Sequence, residues 1–189
     1  MDSTNRIIQT FSHINRKDFV LPKYKNEAYG DYPLSIGYGQ TISQPSTVAF
    51  MLKLLNPSRG NKILDVGSGS GWTTALLAYL VGDKGKVIGV EHIPKLVELG
   101  RKNLQNYKFT NAQIFLAQKE LGYKKEALYD KILVSAAVPK LPQQLLGQLK
   151  PKGIMVVPIQ NALWKITKNT ESTYKRDFYP GFIFVPLKT

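Results

Sequence analysis

Hydrophobic residues along this chain fall into short apolar runs separated by longer amphipathic stretches, a pattern typical of an α/β protein. Runs with few polar positions predict buried strands at 63–66, 87–91, 113–116, 132–135 and 153–159. Apolar residues at helical spacing predict helices at 4–17, 48–56, 72–80, 94–107 and 143–149. This alternation indicates a mostly parallel, doubly wound sheet with an N-terminal helical extension.

The two ends of the chain extend this pattern. One face of the first predicted helix carries its apolar residues, Ile7, Ile8, Phe11 and Ile14. Near the C-terminus, residues 162–168 alternate between apolar and polar positions, and a turn follows at 169–172. The apolar run 182–185 then predicts the strand that closes the sheet. We therefore expect the sheet to end in an antiparallel strand or hairpin.

A glycine-rich turn follows the first predicted strand and leads directly into a helix. Glycine permits positive φ angles and close approach of a ligand to the backbone, and a helix N-terminus offers unpaired N–H groups. An acid at the end of the next strand, here Glu91, can accept both hydroxyl groups of a ribose. The unit therefore predicts a nucleoside cofactor, with a tight turn in a cofactor-free domain as the alternative. Its candidate cofactor-binding residues are Asp65, Gly67, Ser68, Gly69, Ser70, Gly71, Glu91 and His92.

Residues 34–45 form an unusual segment upstream of this turn, because glycines and small hydroxyl residues outnumber charges there. Pro45 suits the first position of the next helix, and Ser43 or Gln44 would then lie near the helix cap. Helix capping is therefore one interpretation of Thr41 and Ser43. The other interpretation is that their hydroxyl groups belong to a binding site.

Composition limits the chemistry available to the chain. Its 189 residues contain no cysteine and two histidines, so disulfides and thiolate metal sites are excluded and a histidine metal site is not expected. No apolar run approaches about eighteen residues and the N-terminus lacks the layout of a signal peptide, which predicts a cytoplasmic protein. The net charge is +13, but the basic residues are scattered. Nucleic acid is therefore not expected as the main partner.

The loop 65–71, an acid followed by three alternate glycines, resembles motif I of the Rossmann-like methyltransferases that bind S-adenosylmethionine. The rest of the chain resembles the protein-L-isoaspartate O-methyltransferase family in blocks at 16–20, 28–34, 36–43, 129–137, 149–153 and 184–187. The resemblance thus covers nearly the whole chain. Its most diagnostic part is the segment from Gly39 to Ser43, because this is a substrate element of the family.

The resemblance implies a repair methyltransferase that transfers a methyl group from S-adenosylmethionine to the α-carboxyl of L-isoaspartyl residues, without a metal. It implies that Asp65 steadies the loop and the methionine ammonium group, and that Glu91 holds the ribose. Ser43 is the implied catalytic residue, whose hydroxyl binds the carboxylate to be methylated. The implied substrate-binding residues are Gln40, Thr41, Ile42 and Ser135.

The expected organisation is one monomeric methyltransferase domain over residues 1–189. The N-terminal helices and the substrate loop occupy 1–56, and the cofactor-binding α/β core occupies 57–189. Isoaspartyl-containing peptides and proteins are the expected partners, with no membrane association. Two other functions stay open: a methyltransferase of the same scaffold that acts on RNA or another acceptor, and a non-catalytic binding paralogue.

The loop 117–119 departs from the family pattern, which usually reads Gly-Asp-Gly at these positions. Gln118 can still accept a hydrogen bond from the adenine amino group, but as a neutral group. We therefore expect weaker cofactor binding, by about 1 kcal/mol. Lys119 adds bulk and charge beside the pocket.

Overall fold

Two sheets form the framework of the protein, whose computed structural model describes residues 3–188. The small sheet is a hairpin of β1 (Leu34–Gly37) and β2 (Gln40–Ile42). The large sheet consists of β3 (Lys62–Val66), β4 (Lys86–Glu91), β5 (Ala112–Leu116), β6 (Tyr129–Val134), β7 (Leu149–Ile159), β8 (Ala162–Lys168) and β9 (Tyr174–Pro180). Its strand order is β5-β4-β3-β6-β7-β8-β9. The first five of these are parallel and β8 is antiparallel to both neighbours, which confirms a mostly parallel sheet with an antiparallel end.

Helices cover both faces of the large sheet, although most of them lie on one face. They are α1 (Ser3–His13), α2 (Pro45–Leu55), α3 (Trp72–Val81), α4 (Pro94–Gln105) and α5 (Gln143–Gly147). Side chains of α1 to α4 share one hydrophobic cluster with strand residues such as Ile63 and Leu133. The alternate strand residues, such as Leu64 and Ile132, join α5 in a second cluster. Burial on both sides explains why these strands read as continuous apolar runs.

The strand predicted at 182–185 is wrong, because the last strand of the sheet is β9. β9 lies at the edge of the sheet, and its residues are exposed or half-buried. An edge strand with one side in water needs no apolar run, so the polar segment from Tyr174 gave no strand signal in the sequence. The apolar run that did give one lies beyond Gly181, where φ is 92° and the chain turns away from the sheet.

The chain after this turn, here called the C-terminal segment (residues 182–188), runs to the loop that follows β6. Ala137 holds it there through two backbone hydrogen bonds. The Ala137 N–H donates to Val185 O at 2.8 Å, and the Leu187 N–H donates to Ala137 O at 2.8 Å. The C-terminal segment therefore lies near the carboxyl ends of the parallel strands.

The N-terminal helix is shorter than predicted, and one of the four apolar residues of its predicted face points outward. It ends at His13, and Ile8 is 64% exposed, so its predicted inward position is wrong. Thr10 is fully buried instead. Its hydroxyl donates to Arg6 O at 2.7 Å, which satisfies this polar group inside the core.

The β1–β2 hairpin, absent from the sequence prediction, lies directly on the glycine turn. A Cβ atom placed on Gly69 would lie 3.1 Å from Ile36 Cδ1. Glycine at this position therefore allows the hairpin to approach the turn closely. The contact brings β2 to the carboxyl ends of the central strands.

Candidate active site

Backbone hydrogen bonds hold the glycine turn between β3 and α3 against the neighbouring strand. The N–H groups of Gly67 and Ser68 both donate to Val90 O, at 2.9 and 3.1 Å. Gly67, Gly69 and Gly71 have φ angles of 79°, 53° and 92°. Because side-chain-bearing residues rarely adopt such angles, the observed backbone requires the glycines that the sequence places there.

Glu91 fixes this turn from the end of β4. Its Oε2 accepts a hydrogen bond from the Gly69 N–H at 2.9 Å, and its Oε1 accepts one from the Ile93 N–H at 2.9 Å. The residue is 7% exposed. A carboxylate offers about four acceptor sites, so Glu91 retains lone pairs for the hydroxyl groups of a ribose.

Asp65 lies beneath the turn and is fully buried. Its Oδ2 accepts hydrogen bonds from the hydroxyls of Thr73 and Thr74, at 2.7 and 2.6 Å, whereas Oδ1 has no partner in the described chain. Burial raises the pKa of Asp65 to about 6, against the opposing effect of the two threonine hydroxyls, and the charge of Glu91 adds to the rise. The positive charge of a ligand group bound above the turn would favour the ionised form. The methionine ammonium group of S-adenosylmethionine carries such a charge.

A cavity of about 750 Å³, its open mouth included, lies past the carboxyl ends of β3 to β6. Ligands of open α/β sheets bind at this position, and the volume falls within the range of small-molecule sites. We call it the larger cavity. The predicted residues that line it are Gln40, Thr41, Gly67, Gly69, Glu91, His92, Gln118 and Ser135.

A second cavity of about 350 Å³, the smaller cavity, adjoins the first. The predicted residues that line it are Thr41, Ile42, Ser43, Gly67, Ser68, Gly69, Ser70 and Ser135. Both cavities share Ile36, Thr41, Gly67, Gly69 and Ser135. The structure therefore brings the predicted cofactor and substrate residues together on two sides of one junction.

Two buried hydroxyl groups in the wall of the smaller cavity lack a hydrogen-bond partner in the described chain. They belong to Ser68, which is 4% exposed, and to Ser135. A buried polar group without a partner is costly, and each hydroxyl can donate to a ligand. Ser135 lines both cavities and can therefore reach either of two bound molecules.

Helix capping does not explain the hydroxyl groups of Thr41 and Ser43. The cap residue of α2 is Gln44, and its side chain makes no capping hydrogen bond. Asp31 serves the first turn instead, because its Oδ1 accepts from the Ser46 N–H at 2.9 Å. Ser43 is half-buried in the wall of the smaller cavity. Its hydroxyl is therefore available to a ligand.

Two of the predicted cofactor-binding residues, Asp65 and Gly71, line neither cavity. Asp65 acts from below the turn. At Gly71, a Cβ atom would lie 3.1 Å from Gly100 O and 3.2 Å from Ile114 Cδ1. Gly71 therefore serves the close approach of α3 to α4.

Sequence reasoning missed several residues of the cavity walls. Ile36, Trp72 and Thr73 line the smaller cavity. Residues 185–188 of the C-terminal segment line the larger cavity. The run 184–187 and the segment around Ile36 both carried the family resemblance, which was the available signal, but apolar residues alone do not indicate a site.

Neither a metal-binding group nor a membrane-spanning helix occurs among residues 3–188. These residues contain no group of three or more His, Asp or Glu side chains arranged to hold a metal ion. Within the same residues, no helix has the length and apolar character needed to cross a membrane.

The fold and the two joined cavities define a class of protein. A mostly parallel sheet, a glycine turn after its central strand and an acid at the end of the next strand are the features of a Rossmann-like, S-adenosylmethionine-dependent methyltransferase. A family model described as Protein-L-isoaspartate(D-aspartate) O-methyltransferase (PCMT) matches residues 1–189. The chain belongs to this family.

Relatives from archaea are similar over the full length of the chain. A protein from Archaeoglobus fulgidus named Protein-L-isoaspartate O-methyltransferase 2 is 41% identical over 191 residues, which cover 100% of this chain and 87% of the relative. A Protein-L-isoaspartate O-methyltransferase from Methanothrix thermoacetophila is 42% identical over 187 residues, which cover 97% of this chain and 88% of the relative.

Solved structures agree with this assignment. One named protein-L-isoaspartate O-methyltransferase has a TM-score of 0.90 and 26% identity, and the match covers 98% of this chain and 62% of that one. This chain thus spans less than two thirds of that protein. A Plasmodium falciparum protein described as a protein-L-isoaspartate O-methyltransferase, in complex with S-adenosyl-L-homocysteine, has a TM-score of 0.85 and 28% identity over 97% of this chain and 90% of its own.

Proposed function

We propose that this chain transfers the methyl group of S-adenosylmethionine to the α-carboxyl of L-isoaspartyl residues in damaged proteins. The observation that carries the proposal is the junction of the two cavities at Thr41, Gly67 and Ser135. The larger cavity has the size and the groups for a nucleoside donor. The smaller cavity is lined by hydroxyl groups, which suit a peptide carboxylate. A donor methyl group placed at the junction would lie next to an acceptor carboxylate in the smaller cavity.

This reaction needs positioning, and it needs no strong base. A bond forms between a carboxylate oxygen and the methyl carbon while the bond from that carbon to the sulfonium sulfur breaks, and the sulfur keeps the electron pair. The carboxylate is already ionised at neutral pH, because an α-carboxyl has a pKa of about 3.5. Both charges disappear in the step, so the exclusion of water from a fixed pair of reactants accelerates it. No residue that lines the smaller cavity is a histidine, in agreement with this chemistry.

On the acceptor side, we assign the catalytic role to Ser43, whose hydroxyl donates to the carboxylate that is methylated. Ser135 is the second donor, since its buried hydroxyl has no partner within the described chain. Gln40, Thr41 and Ile42 form β2, which pairs with β1 along one edge. The other edge of β2 can bind the isoaspartyl peptide as an extended strand.

On the donor side, Glu91 holds the ribose and Gln118 accepts from the adenine amino group. Asp65 steadies the turn from below through Thr73 and Thr74, and its charge attracts the methionine ammonium group. His92 lies in the wall beside Glu91. The remaining contacts come from the turn residues Gly67, Ser68, Gly69 and Ser70, whereas Gly71 serves the packing of α3 on α4.

Methyl incorporation into an isoaspartyl peptide and its normal aspartyl twin tests this function. We expect labelling of the isoaspartyl peptide alone, and equal or absent labelling of the two would overturn the proposal. Ser43→Ala should keep its affinity for S-adenosylhomocysteine in calorimetry and lose most of its turnover. Ser58→Ala is the matched control, because Ser58 is exposed and lines neither cavity.

We further propose that residues 1–189 work as one monomeric domain in the cytoplasm, with nucleic acid as at most a minor partner. One hydrophobic cluster supports the single domain, because it joins residues of 1–56, such as Ile14 and Leu52, to residues of 57–189, such as Leu76 and Leu133. Light scattering after gel filtration tests the monomer, and a dimer mass would refute it.

A further inference from the structure

Arg16 is a charged residue buried behind the acceptor side of the site. It lies on a short 3-10 turn, Arg16–Asp18, and is 3% exposed. Its guanidinium donates to the backbone carbonyl groups of five residues: Ala28 at 2.8 Å, Gly30 at 3.3 Å, Tyr32 at 3.0 Å, Ile42 at 3.3 Å and Ser43 at 3.1 Å. The proposed function gives this residue no role.

Two of these five carbonyl groups belong to the wall of the smaller cavity. Ile42 and Ser43 both line it, and Nη2 of Arg16 reaches both of their carbonyl oxygens. The guanidinium also lies over the ring of Trp72, 5.5 Å from its centroid, and Trp72 lines the same cavity. Arg16 therefore contacts three residues of this wall from behind.

The shape of the guanidinium explains why an arginine occupies this position. Nη1 donates to Ala28 and Gly30, whereas Nη2 donates to Tyr32, Ile42 and Ser43. The planar fork can thus serve five carbonyl groups from two nitrogen atoms at fixed positions, which exceeds the three N–H groups on the single nitrogen of a lysine. A buried charge whose partners are neutral carbonyl groups is costly, and no carboxylate of the described chain forms an ion pair with it.

We propose that Arg16 is a positioning residue for the acceptor: it fixes the backbone of Ile42 and Ser43 so that the Ser43 hydroxyl meets the reacting carboxylate. The inference rests on the proposed function. Small displacements of a group that aligns a reactant reduce the rate strongly, by about 100-fold for about 1 Å. The glycine turn and Glu91 are held by separate hydrogen bonds. Loss of Arg16 should therefore affect the methyl acceptor and spare the donor.

The test compares Arg16→Lys with Arg6→Lys. Arg6 is a matched control, because it also donates to two backbone carbonyl groups, Pro57 O at 3.3 Å and Leu80 O at 2.8 Å, and lines neither cavity of the active site. Arg16→Lys should lower kcat for the isoaspartyl peptide at least 30-fold and leave the Kd for S-adenosylhomocysteine within threefold. Arg6→Lys should lower the thermal midpoint and keep kcat within threefold.

Chemical rescue separates positioning from folding. Turnover of Arg16→Ala should rise at least fivefold with millimolar guanidinium, because the free ion can take the place of the missing side chain. Saturating cofactor stabilises the folded state, so these variants are assayed in its presence. Similar kcat losses in Arg16→Lys and Arg6→Lys, a parallel rise in the Kd for S-adenosylhomocysteine, or the absence of rescue would overturn the proposal. Failure of both Arg16 variants to fold with saturating cofactor would also overturn it, since Arg16 would then support the whole fold.

All rates are compared with those of the wild-type chain, which separates this test from that of the proposed function. A wild-type chain without isoaspartyl activity contradicts the function itself. An active wild type with an unaffected Arg16→Lys variant contradicts the positioning role alone.

Discussion

The Gly69 N–H donates a hydrogen bond of 2.9 Å to Oε2 of Glu91, which joins the glycine turn to the end of the neighbouring strand. One carboxylate thus shapes the turn and faces the larger cavity. This hydrogen bond lies within the protein and holds the turn in one position. Preorganisation of this kind reduces the cost of binding.

Removal of the Glu91 charge should weaken cofactor binding. In Glu91→Gln, an amide nitrogen replaces one carboxylate oxygen and cannot accept a hydrogen bond from a backbone N–H. The same nitrogen cannot accept a hydrogen bond from a ribose hydroxyl. Hydrogen bonds to a charged group contribute about 1.5 to 3 kcal/mol, so the Kd for S-adenosylhomocysteine should rise about 10- to 100-fold in calorimetry. Glu98→Gln is the control, because Glu98 is exposed and pairs with Lys95 on α4. An unchanged Kd in Glu91→Gln would contradict the assignment.

Asp65→Asn should change how stability depends on pH. Burial raises the pKa of Asp65 from 3.8 to about 6 in the folded protein. Between these pH values the folded state binds more protons than the unfolded state, so this carboxyl lowers stability as the pH rises. The asparagine side chain does not titrate, so the variant avoids this loss. The unfolding free energy of Asp65→Asn minus that of wild type should therefore rise by about 3 kcal/mol between pH 3.5 and pH 7.

Urea denaturation from pH 3.5 to 7 measures this difference, with Asp83→Asn at an exposed position as the control. The same Asp65 variant should bind S-adenosylhomocysteine more weakly, since the neutral amide no longer attracts the ammonium group. Parallel stability curves for wild type and Asp65→Asn would refute the prediction.

Gly71→Ala should destabilise the protein more than Gly60→Ala. Both residues have positive φ, 92° and 81°, which adds about 1 kcal/mol to the cost of alanine. A Cβ at Gly71 would also press against Gly100 O at 3.1 Å, whereas a Cβ at Gly60 meets no atom within 4 Å. The difference between their unfolding free energies isolates the packing of α3 on α4, and equal values would show that this contact relaxes freely.

Deletion of residues 182–189 should open the larger cavity. Val185, Pro186 and Leu187 form part of its wall, so their removal exposes a bound nucleoside to water. We expect at least a tenfold rise in the Kd for S-adenosylhomocysteine, measured by calorimetry, and a sheet that stays folded by circular dichroism. Ile183→Ser should change neither, because Ile183 is 87% exposed and does not line the cavity. A deletion variant with wild-type affinity would show that the C-terminal segment is dispensable for the cofactor.

Gln118→Asp should strengthen cofactor binding about 3- to 10-fold, since a charged acceptor replaces a neutral one opposite the adenine amino group. The same change should weaken the analogue that carries an oxo group in place of that amino group, because two acceptors repel. Gln113→Asp serves as the control, since Gln113 is also exposed and lies outside the larger cavity. Equal effects on the two ligands would place Gln118 away from the purine edge.

The cofactor half of the site could be predicted because its residues are close together in the sequence. The turn from Gly67 to Gly71 connects consecutive elements, and Glu91 ends the next strand, so local backbone geometry fixes their relationship. The acceptor half needed a different signal. Ser43 emerged from the family resemblance, since its hydroxyl alone could equally have capped α2.

The sequence by itself determined strands β3 to β8, the five helices and the glycine turn, because hydrophobic periodicity and glycine conformation act over a few residues. The β1–β2 hairpin and the edge strand β9 carry no such pattern. Only the tertiary structure decided which distant segments meet at the site. Arg16 contacts Ser43 across 27 positions, and the C-terminal segment reaches the larger cavity after the sheet has ended at β9. Such contacts depend on the packing of whole elements against each other, which no local pattern of apolar and polar residues encodes.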